Sequence, residues 1–257
     1  DIMELLQSSI DLTKDIFGGK HFVNPDVRVI VISNPVDIIS YFTQQYSNLP
    51  AEKVLGTGTY LDTMRLNQLL SVKFNQHPCS FSTYILGEHG ASMVPLYSSI
   101  ECKGEACGKL SKEDRDHLSN EVVNAAQTIK KTQGSTYYGI AACTVRVIQL
   151  LTGTHTQYDD SGLIPYPNPS LVQETVPLST QITPYYKKLL DVNKDIYFGL
   201  PVQFTSCPEP LLQNGDTCST AKCVTYQVQN FDKLTSDEIA NLKISAHKFE
   251  DILAKIN

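Results

Sequence analysis

VRVIVISNPVDIISYFTQQYSNLPAEKVLGTGTYLDTMRLNQLLSVKF, residues 27–74, carries the fold. Its first six residues are Val and Ile apart from Arg28, and they run straight into Ser33-Asn34-Pro35. That is the pattern of a strand covered on both faces, as in a parallel sheet, and stopped by a proline. Helical spacing takes over across residues 36–46. Val54-Leu55-Gly56 then forms a short strand entering the turn Gly56-Thr57-Gly58-Thr59, and a second helix runs from Tyr60 to Phe74. Strand, helix, strand, helix is the order of an open α/β sheet, in which ligands collect beyond the carboxyl ends of the strands. Asn34 stands at such an end.

Working outward, Leu5, Leu6, Ile10, Leu12 and Phe17 recur at mixed three- and four-residue steps and predict a helix over residues 3–17 that packs on a sheet. Residues 81–86 read as a strand running into Gly87-Glu88-His89-Gly90, and residues 111–132 and 134–151 carry helical periodicity. Strands are expected at 197–202 and 224–228. An amphipathic helix over 236–256 follows the start signal Thr235-Ser236-Asp237-Glu238. The Gly/Pro-rich and polar stretches at 152–170 and 206–223 read as surface excursions.

The chain has 257 residues, 41% apolar and 19% charged, which suits a soluble globular protein with a sizeable core. A net charge of −6 and a pI near 5.5 argue against nucleic acid or an anionic membrane as the main partner and favour a small molecule. No apolar run approaches a bilayer span. The opening Asp1-Ile2-Met3-Glu4 has neither an initiator Met nor the blocks of a secretory signal, so the start reads as cut. The cysteines (Cys79, Cys102, Cys107, Cys143, Cys207, Cys218, Cys223) are odd in number and form no CxxC pair, which reads as reduced thiols of a cytoplasmic protein. Cys207, Cys218 and Cys223 lack zinc-site spacing and a nearby His, so no metal is expected.

Four positions invite chemistry. Asp62 and Arg65, three residues apart, share one helical face, which taken alone describes an ordinary ion pair. His89 lies in a turn flanked by Gly87 and Gly90, where the backbone bends sharply and another group can approach the ring. Asn34 offers both a donor and an acceptor at a strand end. Thr136, in Gln133-Gly134-Ser135-Thr136, reads equally as the N-cap of the next helix.

Taken together, VISNPVDIISYFTQQYSNLPAEKVLGTGTYLDTMRLNQLL (31–70), ILGEHGASMVPLYS (85–98) and QGSTYYGIA (133–141) resemble the NAD-dependent L-lactate/malate dehydrogenase family in order and spacing. VPLSTQ (176–181), DIYFGLPV (195–202) and the final helix are similar to that family as well. The resemblance implies an α/β fold: the C-terminal part of a Rossmann-type parallel sheet over residues 1–56, an incomplete dinucleotide-binding domain, followed by an α+β substrate-binding domain over 57–257. It implies an oxidoreductase moving a hydride between NAD(H) and a small 2-hydroxy or 2-oxo acid. L-lactate/pyruvate is favoured by Thr136, where malate-selective relatives usually carry a smaller residue. The alternatives are malate dehydrogenase, or a non-catalytic binding protein on the same scaffold.

The roles implied by the resemblance follow the chemistry. His89 would be the proton donor and acceptor, since an imidazole titrating near neutrality serves both directions. Asp62 would fix its tautomer and stabilise the imidazolium, as carboxylates do in hydrolase triads. Arg65 would hold the substrate carboxylate through its planar fork, and Asn34 and Thr136 would complete the substrate site. Asn34 and Ile32 would meet the NAD. A homo-oligomer, dimer or tetramer, is implied for the parent protein. The family's GxGxxG turn, its acidic ribose partner and its mobile arginine loop are absent from this sequence. The polypeptide as written is therefore expected to bind NADH poorly and to turn over pyruvate negligibly.

Overall fold

The computed structural model describes residues 2–19, 27–102, 109–152, 154–159, 162–167, 175–206 and 224–256. One mixed five-stranded sheet organises them, in the order β1-β2-β9-β10-β11, where β1 is Val29–Val31, β2 Val54–Gly56, β9 Thr175–Gln181, β10 Tyr197–Ser206 and β11 Val224–Val228. β1 and β2 run parallel, with Ile30 opposite Leu55, and are joined by α2 (Val36–Ser47). β2 meets β9 antiparallel through Gly56 and Ser179. β10 pairs antiparallel with both β9 and β11.

The fold is α/β and Rossmann-type at its start, as expected, with β1 and β2 supplying the parallel part of the sheet. β9 and β10 follow one another through a single short helix and reverse direction, so they pair antiparallel and the sheet as a whole is mixed. The β2–β9 pairing carries this sheet across residue 56. Leu55, Leu178 and Val202 lie buried on one side of it with Val147 and Leu150 of α5 (Tyr138–Thr152).

α1 (Ile2–Phe17) buries Leu6, Ile10 and Thr13, whereas Leu5 is 72% and Leu12 60% exposed. The buried stripe runs 6, 10, 13, and Leu5 and Leu12 point away from it. Leu6 and Ile10 share a core with Ile38 and Phe42 of α2, so α1 packs on a helix where a sheet was expected. α2 follows a cis Asn34-Pro35 bond and ends at Asn48 in the left-handed conformation.

Residues 81–86 form two short strands in place of one. β3 (Phe81–Ser82) pairs with β6 (Glu101–Cys102), and β4 (Ile85–Leu86) pairs with β5 (Val94–Pro95). Between them the buried Thr83 turns its hydroxyl to Asn67 of α3 (Tyr60–Phe74), which separates the two pairings. α4 (Lys112–Gln133) opens on a capping box between Ser111 and Asp114 and closes on Gly134 at φ 78. That left-handed glycine ends the helical path, so α5 starts at Tyr138, later than its periodicity suggested.

β7 (Thr154–Asp159) and β8 (Gly162–Pro167) form an antiparallel hairpin inside the stretch expected to be an excursion. Most of the second stretch, residues 207–223, lies outside the described residues, as does Cys107. α6 (Pro184–Leu190) joins β9 to β10, and α7 (Ser236–Ile256) closes the fold. α7 begins where Thr235 and Glu238 exchange capping bonds, and it buries Leu242, Ala246, Phe249 and Leu253 in the core that holds Phe198 and Leu200 of β10.

The cysteines depart from the fully reduced expectation. Cys102 is disulfide-bonded, while Cys79 and Cys143 are free. Among the described residues no helix is long and apolar enough to cross a membrane, and no group of three or more His, Cys, Asp or Glu side chains is placed to hold a metal ion.

Candidate active site

The site begins with how α3 is fastened. Its N-cap Thr59 and the helical Thr63 and Asn67 follow at four-residue steps, all buried. Thr59 Oγ1 donates to the Ile85 carbonyl, the Ile85 amide donates to Thr63 Oγ1 at 3.0 Å, and Thr83 bonds Asn67. These bonds lay the helix along β4. The helix entry needs Gly58, at φ 51, because a Cβ there would sit 2.4 Å from the Ser179 amide nitrogen.

With α3 so fixed, Asp62 faces the connection between β4 and β5, which contains His89. His89 Nδ1 lies 2.6 Å from Asp62 Oδ2, and Arg65 Nη1 donates to Asp62 Oδ1 at 3.1 Å. Asp62 is 1% exposed, Arg65 16% and His89 23%, so a nearly dry carboxylate is shared by two cationic partners at the edge of solvent. An ionised carboxylate only accepts, so the imidazole proton of the pair belongs on Nδ1. Nε2, and the guanidinium nitrogens other than Nη1, have no hydrogen-bond partner among the described residues.

Burial by itself would lower the His89 pKa. The bond to Asp62, the charge of Asp62 and the charge of Asp37 together outweigh burial and the opposing Arg65, and raise it above its ordinary 6.5. The site therefore holds a proton more firmly than a free imidazole does.

The other expected site residues sit as follows. Ile32, 44% exposed, and the exposed Asn34 stand beyond the carboxyl end of β1, and Asn34 makes no side-chain hydrogen bond among the described residues. Thr136 is half-buried between α4 and α5, and it is not the N-cap of α5, which begins two residues later. α5 leans on α3: a Cβ on Gly139 would meet Leu61 at 2.9 Å. Burial pushes the Cys143 thiol of α5 up to about 11, with Arg65 opposing and Asp62 adding to the rise. The structure thus joins His89, Asp62 and Arg65 by direct bonds, while Asn34, Ile32 and Thr136 make none with them.

Two further residues escape the sequence reading. Asp37, in the first turn of α2, accepts the His89 amide at Oδ2 at 2.8 Å. Ser245, on α7, accepts the Glu88 amide at 2.9 Å. Asp37 lies in the NPVD block, whose strand-helix junction draws attention to Asn34 instead. Ser245 gives no signal in sequence beyond a small polar residue on the apolar side of an amphipathic helix.

Known proteins resemble this chain over nearly its whole length. A family model described as lactate/malate dehydrogenase, alpha/beta C-terminal domain, matches residues 59–207, and its NAD binding domain counterpart matches residues 3–56. An L-lactate dehydrogenase of Borrelia hermsii is 29% identical over 260 residues, covering 99% of this chain and 71% of the relative. One of Clostridium botulinum is 31% identical over 207 residues, covering 77% of this chain and 58% of the relative. The chain thus spans only part of the length of these relatives. Among solved structures, the minor L-lactate dehydrogenase of Enterococcus mundtii in a ligands-bound form superposes with a TM-score of 0.73 at 27% identity, covering 99% of this chain and 71% of that one. An L-lactate dehydrogenase of Clostridium thermocellum gives 0.71 at 26% identity, covering 100% and 73%.

Proposed function

The chain belongs to the lactate/malate dehydrogenase family, and on that premise we propose that it serves in an NAD-dependent oxidoreductase interconverting pyruvate and L-lactate. One arrangement supports this above all: His89 and Arg65 flank a single buried carboxylate, with Nε2 and most of the guanidinium unpaired among the described residues. A carboxylate-bearing 2-oxo acid needs an anion clamp beside a proton donor, and those are the two unsatisfied groups.

NAD(H), when bound, supplies or takes the hydride. The residues expected to meet its nicotinamide end fit that ring: Ile32 offers an open apolar side chain, and Asn34 an amide able to bond a carboxamide. Arg65 holds the substrate carboxylate. In reduction His89 Nε2 gives its proton to the carbonyl oxygen; in oxidation it takes the hydroxyl proton back. Asp62 keeps the proton on Nδ1 throughout and stabilises the imidazolium. Thr136, half-buried between α4 and α5, is the residue that favours pyruvate on this reading.

The direct test is NADH-dependent turnover of pyruvate and of oxaloacetate by the protein as its cell makes it, since the polypeptide as written is expected to bind NADH poorly. Faster reduction of pyruvate is expected. A strong oxaloacetate preference overturns the substrate assignment, and no turnover of either acid overturns the activity. Self-association, as a dimer or tetramer, belongs to the same reading, and it is supported by the open apolar side chains Val72 on α3 and Val145 and Ile148 on α5.

A further inference from the structure

We infer that, given the acid–base reading of His89, Asp37 and Ser245 are positioning residues for its turn, each capturing one of two consecutive backbone amides so that the imidazole is presented to Asp62. The turn joins two strands of two residues each, too short to orient a ring by themselves. Its hold comes from outside. Gly87 exchanges two backbone bonds with Gly199 of β10, at 2.9 and 3.0 Å. The next amide, of Glu88, goes to Ser245 on α7, and the next, of His89, to Asp37 on α2.

Both acceptors are set closely against the turn. Ser245 is fully buried, and a Cβ on Gly87 would lie 2.9 Å from its hydroxyl oxygen, so the approach is as close as a glycine permits. One turn further along α7, Lys248 Nζ donates to Glu88 Oε2 at 2.6 Å, and Ser92 donates to the same oxygen. α7 therefore grips Glu88 by amide and carboxylate together.

Asp37 is buried with Oδ1 lacking a hydrogen bond among the described residues, a costly place for a carboxylate. An asparagine would accept the same amide at less cost. Its charge is useful where it stands: it adds to Asp62 in favouring the protonated His89. The charged groups facing His89 are then Asp62 and Arg65 from α3 and Asp37 from α2, with Glu88 of its own turn paired to Lys248.

The experiment follows the His89 ring by NMR in histidine-labelled protein, its signal identified by loss in His89→Gln. Alongside, kcat and KM for pyruvate are measured for Ser245→Ala, Asp37→Ala and Asp37→Asn. Ser245→Ala is expected to move the His89 titration toward 6.5 and to lower kcat about tenfold with KM nearly unchanged, since small misplacements of a reacting group act on the chemical step. Asp37→Asn, which keeps an acceptor, is expected to lower the titration and to recover part of the kcat lost in Asp37→Ala. An unmoved titration and unchanged kcat in Ser245→Ala and Asp37→Asn overturn the inference. Should Asp37→Ala fail to fold, Ser245→Ala, which removes one oxygen, still decides. Wild-type protein that turns over no 2-oxo acid while Ser245→Ala still shifts the ring overturns the dehydrogenase reading and supports the positioning role. Turnover with an unshifted ring does the reverse.

Discussion

Oδ1 and Oδ2 of Asp62 are divided between Arg65 and His89, at 3.1 and 2.6 Å, so one buried carboxylate bears both on the charge of the imidazole and on the direction of the guanidinium. Replacing it should disturb both. In Asp62→Asn the His89 pKa falls, because burial then acts with less opposition. On the proposed mechanism reduction uses the imidazolium, so its alkaline limit should move to lower pH, and kcat/KM should drop about 100-fold or more. Rate profiles against pH for the two proteins check this. The same pair stabilises the folded chain fully below pH 6.5, and that contribution is lost as pH rises through the raised His89 value.

Arg65→Lys keeps the charge and loses the planar fork. We expect kcat/KM for pyruvate to fall about 100-fold, roughly the 3 kcal/mol of a strong charge-assisted bond, mainly through KM. NADH binding, followed by fluorescence, should stay within about twofold, as expected for a group that meets the substrate alone.

Asp37→Asn should make the protein more stable at neutral pH while making it a poorer catalyst. Burial, opposed by the nearby Ser179 hydroxyl, the His89 amide and the His89 charge, pushes the Asp37 carboxyl from 3.8 to about 6. The folded state therefore holds a proton that the unfolded state has released between those values, and stability falls as pH rises through that window. Removing the charge recovers up to roughly 3 kcal/mol above it and little below pH 3.8. Urea unfolding at pH 4 and pH 7.5 reads the difference.

Gly199→Ala places a Cβ 2.6 Å from the Gly87 carbonyl oxygen and 2.8 Å from Thr59 Oγ1. The bridge that ties the His89 turn to β10 must open. A loss of about 1–3 kcal/mol is expected from the crowding, with a fall in kcat larger than in a control crowded elsewhere in the core. Thermal unfolding and turnover measured together test it.

Light scattering on the native protein should report a dimer or tetramer. A strict monomer would remove self-association from the proposed function.

Much of this is legible from the chain. α3, β2, β11 and α7 fall where periodicity and capping signals put them, because local spacing and end signals decide them. The pairing of Asp62 with Arg65 follows from helical spacing, and the glycines around His89 announce a bent turn. What stays hidden is long-range. Spacing alone does not say which of two apolar stripes meets a neighbour, so Leu5 of α1 reads as buried and is exposed. Residues 81–86 read as one strand because the Thr83–Asn67 bond that parts β3 from β4 joins separate segments. Asp37 and Ser245 act on the site through backbone amides of residues far away, and no spacing rule reaches across 157 residues.

That last separation has a consequence for biosynthesis. α7 is the final element of the described fold to be made, and the hydroxyl that steadies the Glu88 amide travels with it. A nascent chain still threaded through the ribosome before α7 has emerged carries an imidazole without its full seating. Trimming that removes Ser245 with the rest of α7 should therefore lower turnover at least as far as Ser245→Ala does.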